Sequence, residues 1–240
     1  PRCFEIERRL MHELDIPVMH DDQHGTAIVV LAALINALKV VKKNIATVRI
    51  VVNGAGPAGT AVAYLLREAG ARDIVVLDSH GVLSRDRKYT DAYKQELAAR
   101  TNPRKISGNL ELALRGADVF VGVSRAGALD AVLIRTMAQD PIIFALANPV
   151  PEIMPDEARV AGARIIATGR SDFPNQINNA LVFPGVFRGV FDAGKNTITM
   201  AMKKKAAIAL ASLVKKPDSA HIIPSIFDAR VARAIARAMR

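Results

Sequence analysis

Cysteine is nearly absent: the 240-residue chain holds one, Cys3. A single thiol excludes an internal disulfide and any cysteine-built metal cluster, and it makes a reducing, cytoplasmic setting the expectation. Tryptophan is missing and aromatics make up only 5% of the residues. No apolar run reaches the roughly 18–20 uninterrupted residues of a membrane span. The nearest, Ala27 to Leu38, is broken by Asn36 and reads better as a buried helix. No signal or transit segment is visible. The chain opens on Pro1 rather than Met, so a fragment of a longer protein is expected.

What is present points to a folded domain. Half of the residues are hydrophobic, too many for a disordered segment and enough for a sizeable core. Lys plus Arg number 33 against 23 Asp plus Glu, a net charge of +10. The basic residues are scattered without interleaved aromatics. Their densest runs, Lys42-Lys43, Lys203-Lys204-Lys205 and Lys215-Lys216, fall near predicted helix ends, where such runs are usually solvated faces. Nucleic acid and membrane are therefore not expected partners, whereas a basic field suits an anionic cofactor and a small carboxylate substrate.

Helical spacing of apolar residues predicts a short helix over Phe4–Leu14, and Thr26–Val41 reads as a helix apolar almost all round. From Val48 the period changes. Short strands are predicted at Val48–Asn53, Ile74–Asp78, Val119–Val123, Ile142–Ala145 and Arg164–Ala167. They alternate with helices from the glycine loop to about Ala69 and at Ala92–Ala99, Leu110–Leu114 and Ala131–Met137. The tail reads as two Ala-rich helices, Thr197–Val214 and Ala229–Met239. Such alternation predicts an α/β fold, a Rossmann-like doubly wound parallel sheet with flanking N- and C-terminal helices. The expected organisation is a helical lead-in over 1–45, a dinucleotide-binding domain over 46–195 and C-terminal helices over 196–240.

Gly54-Ala55-Gly56-Pro57-Ala58-Gly59 fits G-x-G-x-x-G between a predicted strand and a predicted helix. In that context Gly54 permits the tight turn, Gly56 lets backbone approach a pyrophosphate, and Gly59 allows helix and strand to pack closely. The amides at the helix N-terminus then face the phosphates, and Pro57 suits the first turn, where its missing N–H costs nothing. Asp78, closing the second strand, is the expected partner of the adenine-ribose hydroxyls, with Ser79 beside it. Ser79, His80, Arg85, Arg87 and Lys88 follow within ten residues and could accommodate a 2′-phosphate, so NAD and NADP both stay open.

Three polar clusters stand outside the loop. His20-Asp21-Asp22-Gln23-His24-Gly25-Thr26 precedes the buried helix; its adjacent acids suit a hard cation such as Mg or Mn, or Asp22 or Thr26 caps the helix. Asn148, before Pro149, follows a predicted strand, where open α/β sheets bind ligands, or else marks a simple turn. In Gly169–Asn179, Asn175, Gln176, Asn178 and Asn179 crowd amides into five positions, either aimed at a ligand or lining a loop.

Together these motifs resemble the malic enzyme family in its bacterial type. The resemblance is carried by Ile16–Ala27, Phe144–Ile153 and Ala167–Asn179 and runs from Cys3 to about Ala207. It implies oxidative decarboxylation of (S)-malate to pyruvate and CO2 with NAD or NADP and a divalent metal, in a homodimer or higher homo-oligomer. It implies Asp22 as a metal ligand with Asp21 beside it, Asn148 and Asn179 on the malate carboxylates with Asn178 supporting, and Thr168 and Gly169 on the nicotinamide side. In the family, a Glu-Asp pair of further metal ligands lies just before the segment that begins here at Cys3. The general-base Lys and general-acid Tyr lie in an N-terminal domain, so no catalytic acid or base is expected among these residues. Two other readings fit the residues: a metal-independent Rossmann dehydrogenase of another small acid, and a dinucleotide-binding module that catalyses nothing.

Overall fold

The computed structural model describes residues 2–240. Its strands are β1 (Arg49–Asn53), β2 (Asp73–Asp78), β3 (Gly81–Val82), β4 (Val119–Gly122), β5 (Ile142–Ala145) and β6 (Ile165–Thr168). Its helices are α1 (Arg2–Glu13), α2 (Asp21–Val40), α3 (Pro57–Glu68), α4 (Ala92–Arg100), α5 (Leu110–Leu114), α6 (Ala131–Ile134), α7 (Pro155–Val160), α8 (Phe183–Asp192), α9 (Met200–Ser212) and α10 (Arg230–Met239). The strands form one sheet in the order β3-β2-β1-β4-β5-β6. Five run parallel, in register through Ile50↔Ile74, Ile50↔Val119, Val119↔Ile142 and Ile142↔Ile165. A sixth strand beyond the five expected, β3, pairs antiparallel with β2 at one edge. A two-residue strand is too short for any hydrophobic period to register.

Alternation along the strands divides the interior into two cores. Ile50, Val52, Ile74, Val76, Val119, Val121, Ile142 and Phe144 face one side with residues of α2, α3, α4, α8, α9 and α10. Val51, Val75, Leu77, Phe120 and Ile143 face the other with α5, α6 and α7. The helix α2 is long and apolar enough to cross a membrane by length and composition alone. It is instead a core helix, with Ala27 to Leu34 buried. Its Asn36 is fully buried yet satisfied, donating to the carbonyls of Ala211 and Ile222 at 2.9 and 3.0 Å and accepting from Lys39. One amide thus fastens the C-terminal segment to the central helix.

Two departures from the sequence expectation bear on the site. First, α2 begins at Asp21, five residues before the predicted Thr26, so both acids lie in its first turn. A polar first turn carries no apolar period, but acids are favoured there by the helix dipole. Second, α7 and α8 were not anticipated. In α8, Gly185 and Gly189 lower helix propensity, but a Cβ at Gly185 would lie 2.7 Å from Ile235 Cβ, and one at Gly189 2.6 Å from the Ala236 carbonyl. Close packing on α10 requires both glycines.

Candidate active site

Strand order reverses at β1: β2 lies on one side of it and β4 on the other, which opens a crevice at the carboxyl ends of the strands. A cleft of about 920 Å³ occupies it, lined by Gly54, Ala55 and Gly56 after β1, Asp78 and Ser79 after β2, and Ser124 after β4. Gly54 has φ +127°, and a Cβ there would lie 2.6 Å from the Val123 carbonyl. A Cβ on Gly59 would lie 1.7 Å from the Gly54 carbonyl. By contrast, one on Gly56 would meet nothing within 4 Å. Two glycines therefore close the turn onto the helix, and the third leaves open the space a ligand would fill. Pro57 and Ala58 form the first turn of α3, with Gly56 as N-cap and Pro57 at its start.

Asp78 is only 5% exposed at its side chain. Arg87 donates to both its oxygens at 2.9 and 2.7 Å, Lys94 to Oδ2 at 2.8 Å, and the His80 amide to Oδ1 at 2.9 Å. Burial opposes ionisation, but these hydrogen bonds outweigh it and hold the carboxyl well below the usual range. The acid expected to meet ribose hydroxyls thus already carries two cations at the cleft wall. Lys94, which also lines the cleft, was not singled out from the sequence, because its link to Asp78 depends on α4 folding back over β2. Ser79 lines the cleft, its hydroxyl 3.2 Å from His80 Nδ1.

A second constellation forms where β6 ends. Gln176 bridges to Thr168, and the Ile177 amide donates to the Thr168 carbonyl, which sets the amide-rich segment against the carboxyl edge of the sheet. From there Asn179 Nδ2 donates to Asp21 Oδ2 at 2.8 Å and to Asp22 Oδ1 at 3.3 Å. Residues 157 and 158 positions apart in sequence are thereby joined. The N-cap of α2 is His20, with no side-chain hydrogen bond, so neither Asp22 nor Thr26 caps the helix. Asp22 is exposed. Asp21 is held close by glycine: a Cβ at Gly25 would lie 2.0 Å from its Oδ1. That oxygen is buried without a hydrogen-bond partner, and burial, followed by the neighbouring Asp22 charge, raises the Asp21 pKa.

A buried, unpartnered carboxylate oxygen beside an exposed carboxylate is the donor set a hard divalent cation satisfies. The acid pair therefore fits part of a metal site, while no group of three or more His, Cys, Asp or Glu among the described residues could hold a metal unaided. Asn178 caps the short 3-10 turn Asn179–Leu181 by accepting from the Ala180 amide at 2.9 Å. Asn148 is exposed after β5, and a Cβ on Gly169 would lie 3.3 Å from its amide nitrogen. Gly169 thus adjoins Asn148, and neither it nor Thr168 is among the residues lining the glycine-loop cleft.

The supports beneath these groups were less visible in the sequence. Glu7 of α1 accepts from the His20 amide at 2.7 Å and from Gln23 at 3.1 Å, and pairs with His24, pinning α1 to the acid-bearing end of α2.

Proteins of similar sequence and fold point to one family. The profile of the family described as "Malic enzyme, NAD binding domain" matches residues 23–240. The NAD-dependent malic enzyme of Geobacillus stearothermophilus is 50% identical over 241 residues, covering 100% of this chain and 50% of the relative. The bifunctional malic/malolactic enzyme of Bacillus subtilis is 51% identical over 242 residues, covering 100% of this chain and 59% of the relative. The crystal structure of NAD-dependent malic enzyme from Thermotoga maritima superposes with a TM-score of 0.96 at 47% identity, over 100% of this chain and 63% of that one. The chain thus spans about half the length of the curated relatives it matches. With its α/β fold, glycine-loop cleft and acid–amide cluster, the chain belongs to the malic enzyme family, and the matching region is that family's NAD-binding domain.

Proposed function

We propose that this chain is the dinucleotide-binding part of an enzyme that oxidatively decarboxylates (S)-malate to pyruvate and CO2 with NAD or NADP and Mg or Mn. The observation that carries the reading is the Asp21–Asp22–Asn179 cluster at the carboxyl edge of the sheet. A dehydrogenase needing no metal has no use for a carboxylate oxygen buried without a partner.

When bound, the dinucleotide would supply a hydride acceptor for C2 of malate and the divalent cation a Lewis acid for the C2 oxygen. The glycine-loop amides and the N-terminus of α3 hold the pyrophosphate. Asp22, backed by Asp21, would hold the cation. Asn148 and Asn179 would donate to the substrate carboxylates, with Asn178 fixing the turn that presents Asn179 and with Thr168 and Gly169 toward the nicotinamide. Orientation of hydride donor and acceptor is the contribution of this part. The acid and base that move protons are proposed to lie in the portion of the relatives that this chain does not match. The exposed Ile6 and Leu10 of α1 and Leu14 just beyond it support self-association, as a homodimer or higher oligomer.

The test pairs two proteins. These 240 residues should bind NAD or NADP by calorimetry without reducing it in the presence of malate. The protein extended to the length of its relatives should reduce it in a Mn- or Mg-dependent manner. In the latter, Asp22→Asn should melt within a few degrees of the parent, since a first-turn charge is worth about 0.3–1 kcal/mol, but require far more metal. Malate turnover by these residues alone, or unchanged metal dependence in the variant, would refute the reading.

A further inference from the structure

Glu152 is fully buried, and no salt bridge among the described residues neutralises it. Its Oε1 accepts from the Ser124 amide and its Oε2 from the Ala147 amide, both at 3.0 Å. Its own carbonyl accepts from the Leu129 amide at 3.1 Å. Room for the carboxyl is made at the end of β4, where a Cβ on Gly122 would lie 2.4 Å from Glu152 Cδ. The two amides belong to different parts of the site. Ser124 lines the dinucleotide cleft and accepts from Asn53 of β1 at 3.2 Å. Ala147 immediately precedes Asn148, the proposed substrate amide.

We propose that Glu152 is a positioning residue that locks the dinucleotide-binding segment after β4 to the substrate-binding segment after β5, setting the distance between cofactor and malate. The inference rests on the malate reading above.

The chemistry requires an acceptor at both ends. A carboxylate has lone pairs on two oxygens and no donor, so it takes one backbone amide on each. A glutamine would turn an N–H against one of those amides and release one segment. Burial pushes the Glu152 pKa up, against the lowering effect of the Ser124 and Ala147 amides. A group so disfavoured as an ion has little reason to occupy an apolar interior unless its two acceptors are used. Hydride transfer is sensitive to such spacing, since misplacement by about 1 Å can cost on the order of a hundredfold in rate.

The experiment uses the complete enzyme and compares Glu152→Gln, Asn148→Ala and the double variant. Each is assayed below its melting transition for kcat, malate KM and NAD affinity. Glu152→Gln should lower kcat at least tenfold, raise malate KM and weaken NAD binding together, whereas Asn148→Ala should raise malate KM alone. In the double variant the malate KM should rise less than the product of the single effects, because Asn148 is already displaced. If Glu152→Gln only lowers the melting temperature, with kcat and both affinities unchanged, Glu152 is merely structural and the proposal falls. If Asn148→Ala leaves malate KM unchanged, the substrate assignment fails instead, and NAD affinity in Glu152→Gln still decides the role of Glu152. Should Glu152→Gln fail to fold, Glu152→Asp keeps the charge and withdraws it by one methylene, and the same three measurements apply.

Discussion

Two glycines of one loop, Gly59 and Gly56, should respond to substitution in opposite ways. Gly59→Ala would place a Cβ 1.7 Å from the Gly54 carbonyl, whereas real Cβ atoms essentially never approach within 3.0 Å. The start of α3 must therefore move away from β1 by more than an ångström. Overpacking of that kind costs about 1–3 kcal/mol. At about 2–4 °C per kcal/mol for a chain of this size, the melting temperature should fall by roughly 2–12 °C. Gly56→Val meets no protein atom within 4 Å, and Gly56 has φ −82° and ψ −167°, extended angles that valine adopts readily. Its cost to folding is the loss of a favoured N-cap, at most about 1 kcal/mol. The valine would stand where the pyrophosphate approaches. Loss of a single hydrogen bond to a charged group, about 1.5–3 kcal/mol, weakens binding by roughly one to two decades. The assay is thermal melting of each variant, followed by NAD titration below the transition. A parent-like melting temperature for Gly59→Ala would mean that helix and strand do not meet as described. Parent-like NAD affinity for Gly56→Val would move the pyrophosphate site elsewhere.

Further outcomes follow from single groups. In the complete enzyme, Asn179→Ala should raise malate KM by about one to two decades, the value of an amide bond to a carboxylate, while NAD affinity stays near the parent's; the reverse pattern in steady-state kinetics would refute its role. Asn36→Leu should destabilise the chain by about 2–4 kcal/mol in urea unfolding, because it strips the donor from two buried carbonyls; a loss below 1 kcal/mol would show that the staple is dispensable. Lys203 is buried, and burial, partly offset by Glu7, pushes its pKa from 10.5 down to about 8. The unfolded chain therefore binds more protons than the folded one between those values, so this residue should make stability rise from about pH 8 to 10.5. Lys203→Met should flatten that rise in urea midpoints measured across the window, and an unchanged slope would show that the group titrates normally.

Local pattern alone determined much of this protein. Short β-branched and apolar runs located the five parallel strands to within a residue or so, because a strand buried on both faces is written as such a run. The glycine spacing located the loop, because each glycine answers a local backbone or packing demand. The all-apolar stretch from Ala27 marked a buried helix, because nothing else could cover it. Tertiary structure decided the rest. That Asp22 does not cap α2 follows from the helix starting at Asp21, and the polar first turn concealed that start. The glycines of α8 lower its helix propensity, and only the packing of α10 against them accounts for their place there. Asp78 took Lys94 as a partner because α4 brings that side chain to the end of β2, while Arg87 reaches it from the loop after β3. Asp21 met Asn179, and Glu152 met Ser124 and Ala147, through contacts whose value lies in three-dimensional proximity. A sequence records which donors and acceptors exist, but a buried carboxylate takes whichever partners the packed fold brings within about 3 Å.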